Sequence, residues 1–132
     1  MDDSPFSDTG WVPVPITNTT NFRVYSGLGM EGLTFPRVRR VGSRVEYRGA
    51  AEVIVAAAAD GSVISAATQI GLLPALFRPS PDYYTPVYVC QGSSLNRWSL
   101  LVYPTGEAHA HRYGPSTGIV GAWLPFNVSW LV

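Results

Sequence analysis

Lysine is absent from the 132-residue chain, cysteine occurs once, at Cys90, and charged residues make up only 14%. One cysteine excludes an intrachain disulfide and any multi-cysteine metal site, and reads as a small apolar side chain on a strand. All nine positive charges are arginine, a bias that genome composition produces as readily as function does. They balance nine acidic residues, so no global field draws the chain to nucleic acid or to an anionic membrane. Long apolar runs are missing too. The longest, Val53 to Ala59, is far short of the roughly 20 residues a membrane-crossing helix needs. The acidic start, Met-Asp-Asp-Ser-Pro-Phe-Ser-Asp, lacks the basic and apolar regions of a signal peptide, so a soluble protein made in the cytoplasm is expected.

What the chain does have is punctuation: 13 Gly and 11 Pro at short intervals favour many short strands over helices. A chain of this length suits one domain burying roughly two-thirds of its unfolded surface. The clearest stretch is Arg37 to Gly49. Two alternating runs flank Gly42-Ser43, a two-residue turn whose glycine supplies the positive φ of a type II′ hairpin. The implied register sets Val41 opposite Arg44, Arg39 opposite Glu46 and Arg37 opposite Arg48. One face then carries Arg37, Arg39, Val41, Arg44, Glu46 and Arg48, and the other carries Val38, Arg40, Val45 and Tyr47. Arg40 thus points at the core, which requires a partner such as Glu52 or a neighbouring subunit, or a different turn.

Elsewhere, Met1 to Thr9 reads as a flexible lead-in, with residues 10–132 forming the single domain. Trp11 to Ile16 alternates, but Pro13 and Pro15 confine it to a sheet edge or beyond. Thr17 to Asn21 is a turn, Phe22 to Tyr25 a short strand and Ser26 to Gly32 a glycine-rich loop. The alanine-rich segment after Gly49 is assigned as a strand apolar on both faces, covered by loops or by another subunit. Asp60-Gly61 signals a turn before a possible strand over Ser62 to Ala66. Pro74 forbids a regular helix over Ile70 to Pro79, which reads as an irregular crossing. Strands are predicted over Thr85–Gln91, Asn96–Tyr103, Glu107–Tyr113 and Ala122–Val132, the last with Phe126, Val128, Trp130 and Val132 on one face. The fold class is all-β: an antiparallel β-sandwich or jelly-roll-like barrel without substantial helix.

Several pieces also fall in a familiar order. They are Gly10-Trp11, the run Arg40 to Gly49, Leu73-Pro74 with Phe77-Arg78-Pro79, Tyr103-Pro104-Thr105-Gly106-Glu107, Trp123 and the closing Ser129-Trp130. In this order the chain, from about Gly10 to Val132, resembles the distal β-sandwich domain of tailed-bacteriophage tail fibre and minor tail proteins. The resemblance implies a homotrimeric, receptor-facing module of the virion, at a tail tip or baseplate, that binds host cell-wall polysaccharide or another surface glycan beside other tail proteins. The alternative is a structural trimerisation cap or virion decoration protein without a glycan ligand.

Sugar binding stacks a pyranose on an aromatic ring and fixes its hydroxyls with polar tips. Tyr83 and Tyr84 in a proline-bounded loop, and Trp98 and Tyr113 near Asn96, Arg97, His111 and Arg112, are the candidates. Against that, Trp98 alternates with Leu100 and Val102 as a core stripe would. The arginine face of the hairpin suits an anion such as teichoic-acid phosphate or an acidic sugar, or else is a solvated face with an Arg39–Glu46 pair. In Glu107-Ala-His109-Ala-His111-Arg-Tyr113 a period of two aligns Glu107, His109, His111 and Tyr113, whose Glu and His pair are metal-ligand types. These could chelate a metal within one chain or at the trimer axis the resemblance implies, but exposed strand histidines are commoner. No metal or other cofactor is expected. No Gly-x-Ser-x-Gly elbow, phosphate loop, dinucleotide fingerprint or zinc-protease helix is present, and no enzyme is expected.

Overall fold

The computed structural model describes residues 7–25, 34–54, 68–81, 87–91, 97–111 and 123–132. Along them the chain forms β1 (Val12–Pro13), β2 (Phe22–Val24), β3 (Arg37–Val41), β4 (Arg44–Val53), β5 (Thr68–Leu72), a 3-10 turn (Ala75–Phe77), β6 (Val87–Gln91), β7 (Arg97–Val102), β8 (Glu107–His111) and β9 (Trp123–Leu131). All strand pairings are antiparallel. The fold is an all-β sandwich of a five-stranded and a four-stranded sheet.

The first sheet is built on β4. Gly42 takes φ 58°, the value the first turn position needs, and β3 folds back with Val41 opposite Arg44, Arg39 opposite Glu46 and Arg37 opposite Arg48. β3 covers only the first half of one edge of β4, and β2 continues along the second half, Arg23 facing Glu52. β9 runs the length of the other edge, from Leu131 opposite Arg44 to Trp123 opposite Glu52. β1 extends the sheet beyond β3 as an edge strand, where Pro13 and Pro15 need no ladder donor. The second sheet has the order β5-β8-β7-β6, with a bulge between Gln69 and Gly71.

Alternation decides what each strand buries. Val38, Val45 and Tyr47 of the hairpin enter the core with Leu124, Phe126, Val128 and Trp130 of β9 and Trp98, Leu100 and Val102 of β7. One ring contact links the two sheets, Trp98 meeting Phe126 edge-on at 6.2 Å, and within the first sheet Phe126 lies 4.6 Å from Tyr47, which meets Trp130 at 6.4 Å. Ala51 and Val53 are buried within this single chain, so their apolar character requires no second subunit, while residues 55–59 of that run lie outside the described residues. So do the Ser26 to Gly32 loop, the Asp60-Gly61 turn and Ser62 to Ala66.

Three expectations change. Arg40 does point inward, and its partners include two carbonyls: Nε donates to Gly42 at 2.7 Å and Nη1 to Leu76 at 3.1 Å. Glu52 instead pairs with Arg23, its neighbour across the β2–β4 ladder. Second, the crossing begins later than Pro74 suggested, because Thr68–Leu72 pairs with β8 as a strand and only the segment after it is irregular. Proline removes a donor at its own position and leaves the preceding residues extended, which suits a strand.

Third, the packed chain reaches back to Ser7. Gly42 N donates to the Ser7 carbonyl at 2.8 Å, Thr9 N to the Arg40 carbonyl at 3.0 Å, and Asp8 bridges to Val41. Asp8 also accepts a two-pronged contact from Arg39, at 2.9 and 2.5 Å. Arg39 first, and then the Gly10 N–H, hold the Asp8 carboxyl at about 2 against an ordinary 3.8. The folded protein binds this proton less tightly than the unfolded chain. The contribution is therefore complete above pH 3.8 and lost as the pH falls through about 2. Acid titration of stability should accordingly be shallower below pH 3.8 in Asp8→Asn than in wild type. Superimposable profiles would mean that the contact does not hold in solution.

Candidate functional site

The outward face of the first sheet forms a lattice three strands wide. Across β3, β4 and β9 the ladder aligns Arg37 with Arg48 and Asn127, Arg39 with Glu46 and Ser129, and Val41 with Arg44 and Leu131. Trp11, just before β1, lies against the arginine end of this lattice and is 37% exposed. The guanidinium carbons of Arg37, Arg39 and Arg48 lie 5.1, 5.9 and 5.2 Å from its ring centroid. An indole face attracts such cations, more strongly as water is excluded from it. The expected Arg39–Glu46 pair is not the dominant one. Arg39 takes Asp8, and Glu46 takes Arg48 at 3.1 Å. Arg48 Nε also donates to Asn127 Oδ1 at 3.1 Å. Arg39 is thus held by Asp8 of the edge segment, and Arg48 by Glu46 and Asn127 on its own and the neighbouring strand.

Of the residues nominated for saccharide binding, Arg97, Trp98 and His111 fall among the described ones. Tyr83, Tyr84, Asn96, Arg112 and Tyr113 lie outside the described residues, and Arg97 is placed only as the first residue of β7. Trp98 is a correction. It is 1% exposed, too deep for a sugar ring to stack on it, because it falls in register with Leu100 and Val102 on the inward face. His111 stands opposite Ser99, half-buried, on the other side of the sheet from the Trp98 ring. Glu107, His109 and His111 do share the outward face of β8, yet only Glu107 and His109 approach, at 3.5 Å. Glu107 also accepts from Thr105 Oγ1 at 3.1 Å, and His109 lies edge-on to Tyr103 at 5.0 Å. No cluster of three metal-ligating side chains occurs among the described residues.

A second concave feature is an open groove of about 680 Å³ between β6 and β9, an edge strand of each sheet. Its lining mixes apolar Cys90, Pro125, Phe126 and Val128 with polar Asn127 and Ser129, and Tyr88 Oη donates to the Ser129 carbonyl across it at 2.7 Å. Burial pushes the Cys90 thiol up to about 11, so it stays protonated and is a poor nucleophile at neutral pH. Asn127 borders both the groove and the Trp11 face.

Trp11 and Asp8 were missed as site residues because both sit on the edge segment before the hairpin, about thirty positions from the arginines they touch. The available signal was parity: Trp11, Pro13 and Pro15 alternate with the more buried Val12, Val14 and Ile16, so Trp11 faces outward. Fold and site together define an all-β sandwich with a basic, aromatic sheet face. Comparison with family models, curated proteins and solved structures finds no match to this chain.

Proposed function

We propose that the domain is a non-catalytic module of a phage tail or baseplate tip that binds host cell-surface saccharide. The face around Trp11 is its binding surface. The resemblance described above motivates the setting, and the surface rests on one observation: an exposed indole ringed by three arginines on paired strands. A pyranose stacks on the indole, and guanidinium and amide groups at its rim fix the hydroxyls. Because strands β3 and β4 hold the arginines and Trp11 directly precedes β1, little order is lost on binding.

The test is binding of purified protein to host cells and to their extracted wall polysaccharide, for wild type, Trp11→Ala and Tyr84→Ala. Trp11→Ala should weaken binding at least about tenfold, the equivalent of one lost stacking contact of roughly 1.4 kcal/mol. Tyr84→Ala should change it little. The reverse result would move the site to the loop, and no binding of wild type to any wall polysaccharide of the host would remove the receptor reading.

A further inference from the structure

Strand β9 is paired along one edge and open along the other. Val132 N donates to the Ser43 carbonyl at 2.8 Å on the β4 side, whereas the Ser129 carbonyl accepts from Tyr88 Oη on the side away from β4. The N–H and C=O of one residue leave a strand on the same side, and the side alternates from residue to residue. Even-numbered residues of β9 therefore bond to β4, and Pro125, Asn127, Ser129 and Leu131 turn their backbone groups outward. Among the described residues β4 is the only strand that pairs with β9. The groove of about 680 Å³ follows this outer edge from Pro125 to Ser129 and leaves room for another backbone.

Two outward groups are unfit for a regular ladder. Pro125 has no N–H, and the Ser129 carbonyl already holds the Tyr88 hydroxyl. They stand two residues either side of Asn127. When two copies of β9 pair antiparallel about Asn127, Pro125 faces the partner's Ser129, so the missing donor meets the carbonyl that already has one. The remaining groups match: Asn127 exchanges both bonds with the partner's Asn127, and Ser129 N–H meets the partner's Pro125 carbonyl. Leu131, 66% exposed, then faces the partner's Trp123, 37% exposed, so apolar surface leaves water at each end.

We infer that the outer edge of β9 is an interface for a second copy of this chain, joined about a two-fold axis at Asn127. Such a contact is self-complementary and closes at two copies. The two five-stranded sheets become one, and because opposed residues point to the same face, both Trp11 surfaces lie on one side of it. The pairing does not depend on what that surface binds. A proline and a capped carbonyl also blunt an edge against chance partners. Protection alone, however, leaves the protein monomeric.

Sedimentation of the full chain over a concentration series should show a dimer at tens of micromolar. Leu131→Glu should weaken the dimer at least about tenfold, with Tm within about 4 °C of wild type because the side chain it replaces is mostly exposed. Asn127→Pro removes both central donors and no bond to β4, and should be monomeric. The register has its own readout. Under mild oxidation Asn127→Cys should form a disulfide-linked dimer, since a hydrogen-bonded pair sets its Cα atoms about 5.5 Å apart, within disulfide range. Leu131→Cys should not, because its two copies would stand roughly 27 Å apart along the paired strands. Wild type, whose one cysteine, Cys90, is buried, should stay uncrosslinked.

A monomer even at hundreds of micromolar overturns the inference. So does a dimer or larger species that neither Leu131→Glu nor Asn127→Pro weakens, or crosslinking of Leu131→Cys in preference to Asn127→Cys. None of these readouts uses a saccharide, so failure of the interface and failure of the Trp11 site are told apart.

Discussion

Trp98→Ala should remove about 3–5 kcal/mol of stability, the range for emptying a buried tryptophan site. A domain of this kind has a margin of only about 5–15 kcal/mol, so the variant would stand close to unfolding at 37 °C. The cause is position. Trp98 is 1% exposed, meets Phe126 of the opposite sheet edge-on, and through Phe126 joins the rings of Tyr47 and Trp130. Alanine leaves a void between two sheets whose strands cannot close over it. Trp98→Phe should cost much less. Its ring refills most of the space, and it deletes an indole N–H that is buried without an acceptor among the described residues, a defect that ordinarily costs about 1–3 kcal/mol. Urea unfolding of the pair measures the difference. Saccharide binding by folded Trp98→Phe should equal wild type, whereas a stacking tryptophan would take binding with it. Near-equal stability of Trp98→Ala and wild type would contradict the core assignment.

The hairpin register was legible because two independent signals agree. Gly42 fixes where the chain reverses, and the spacing of Val38, Val45 and Tyr47 fixes which residues face inward. Strand β9 was legible for the same reason, its odd positions facing out and its even ones in. Trp98 shows the limit of such patterning. It alternates with Leu100 and Val102 and also neighbours polar residues, so both a core and a surface reading fit locally, and only the opposing sheet decides. Arg40 shows another limit. An inward arginine demands an acceptor, but the Leu76 carbonyl that serves lies 36 residues away and leaves no mark in side-chain chemistry. The same distance hid the site. Trp11 gains meaning only when β1 docks beside β3 and brings the indole to Arg37, Arg39 and Arg48.

Gly106→Ala should be the most damaging single-methyl addition along the described chain, lowering stability by roughly 2–4 kcal/mol. Two costs combine. Gly106 has φ 95°, where a Cβ is strained, and leaving the usual basins costs about 1–3 kcal/mol. The added methyl would also stand 2.5 Å from Arg78 Nε and 2.6 Å from the Leu73 carbonyl oxygen. Arg78 has a flexible side chain and can swing away; the carbonyl, directly after β5, cannot move without the backbone. It is held from both sides, since Arg78 Nε donates to the Leu73 oxygen at 2.9 Å and Leu73 N donates to the Gly106 oxygen at 2.8 Å. This knot reaches the hairpin and β9. The same crossing offers the Leu76 carbonyl to Arg40 of the hairpin and the Phe77 carbonyl to Trp130 Nε1 at 3.0 Å. Pairing Gly106→Ala with Arg78→Ala separates the two contacts in urea unfolding. If the methyl's clash were with the guanidinium alone, the second substitution would restore most of the loss. Because the carbonyl and the backbone angle carry the larger share, the double variant should recover less than half of it. A Gly106→Ala protein within about 1 kcal/mol of wild type would show that the turn relaxes freely and that the crossing does not brace the hairpin.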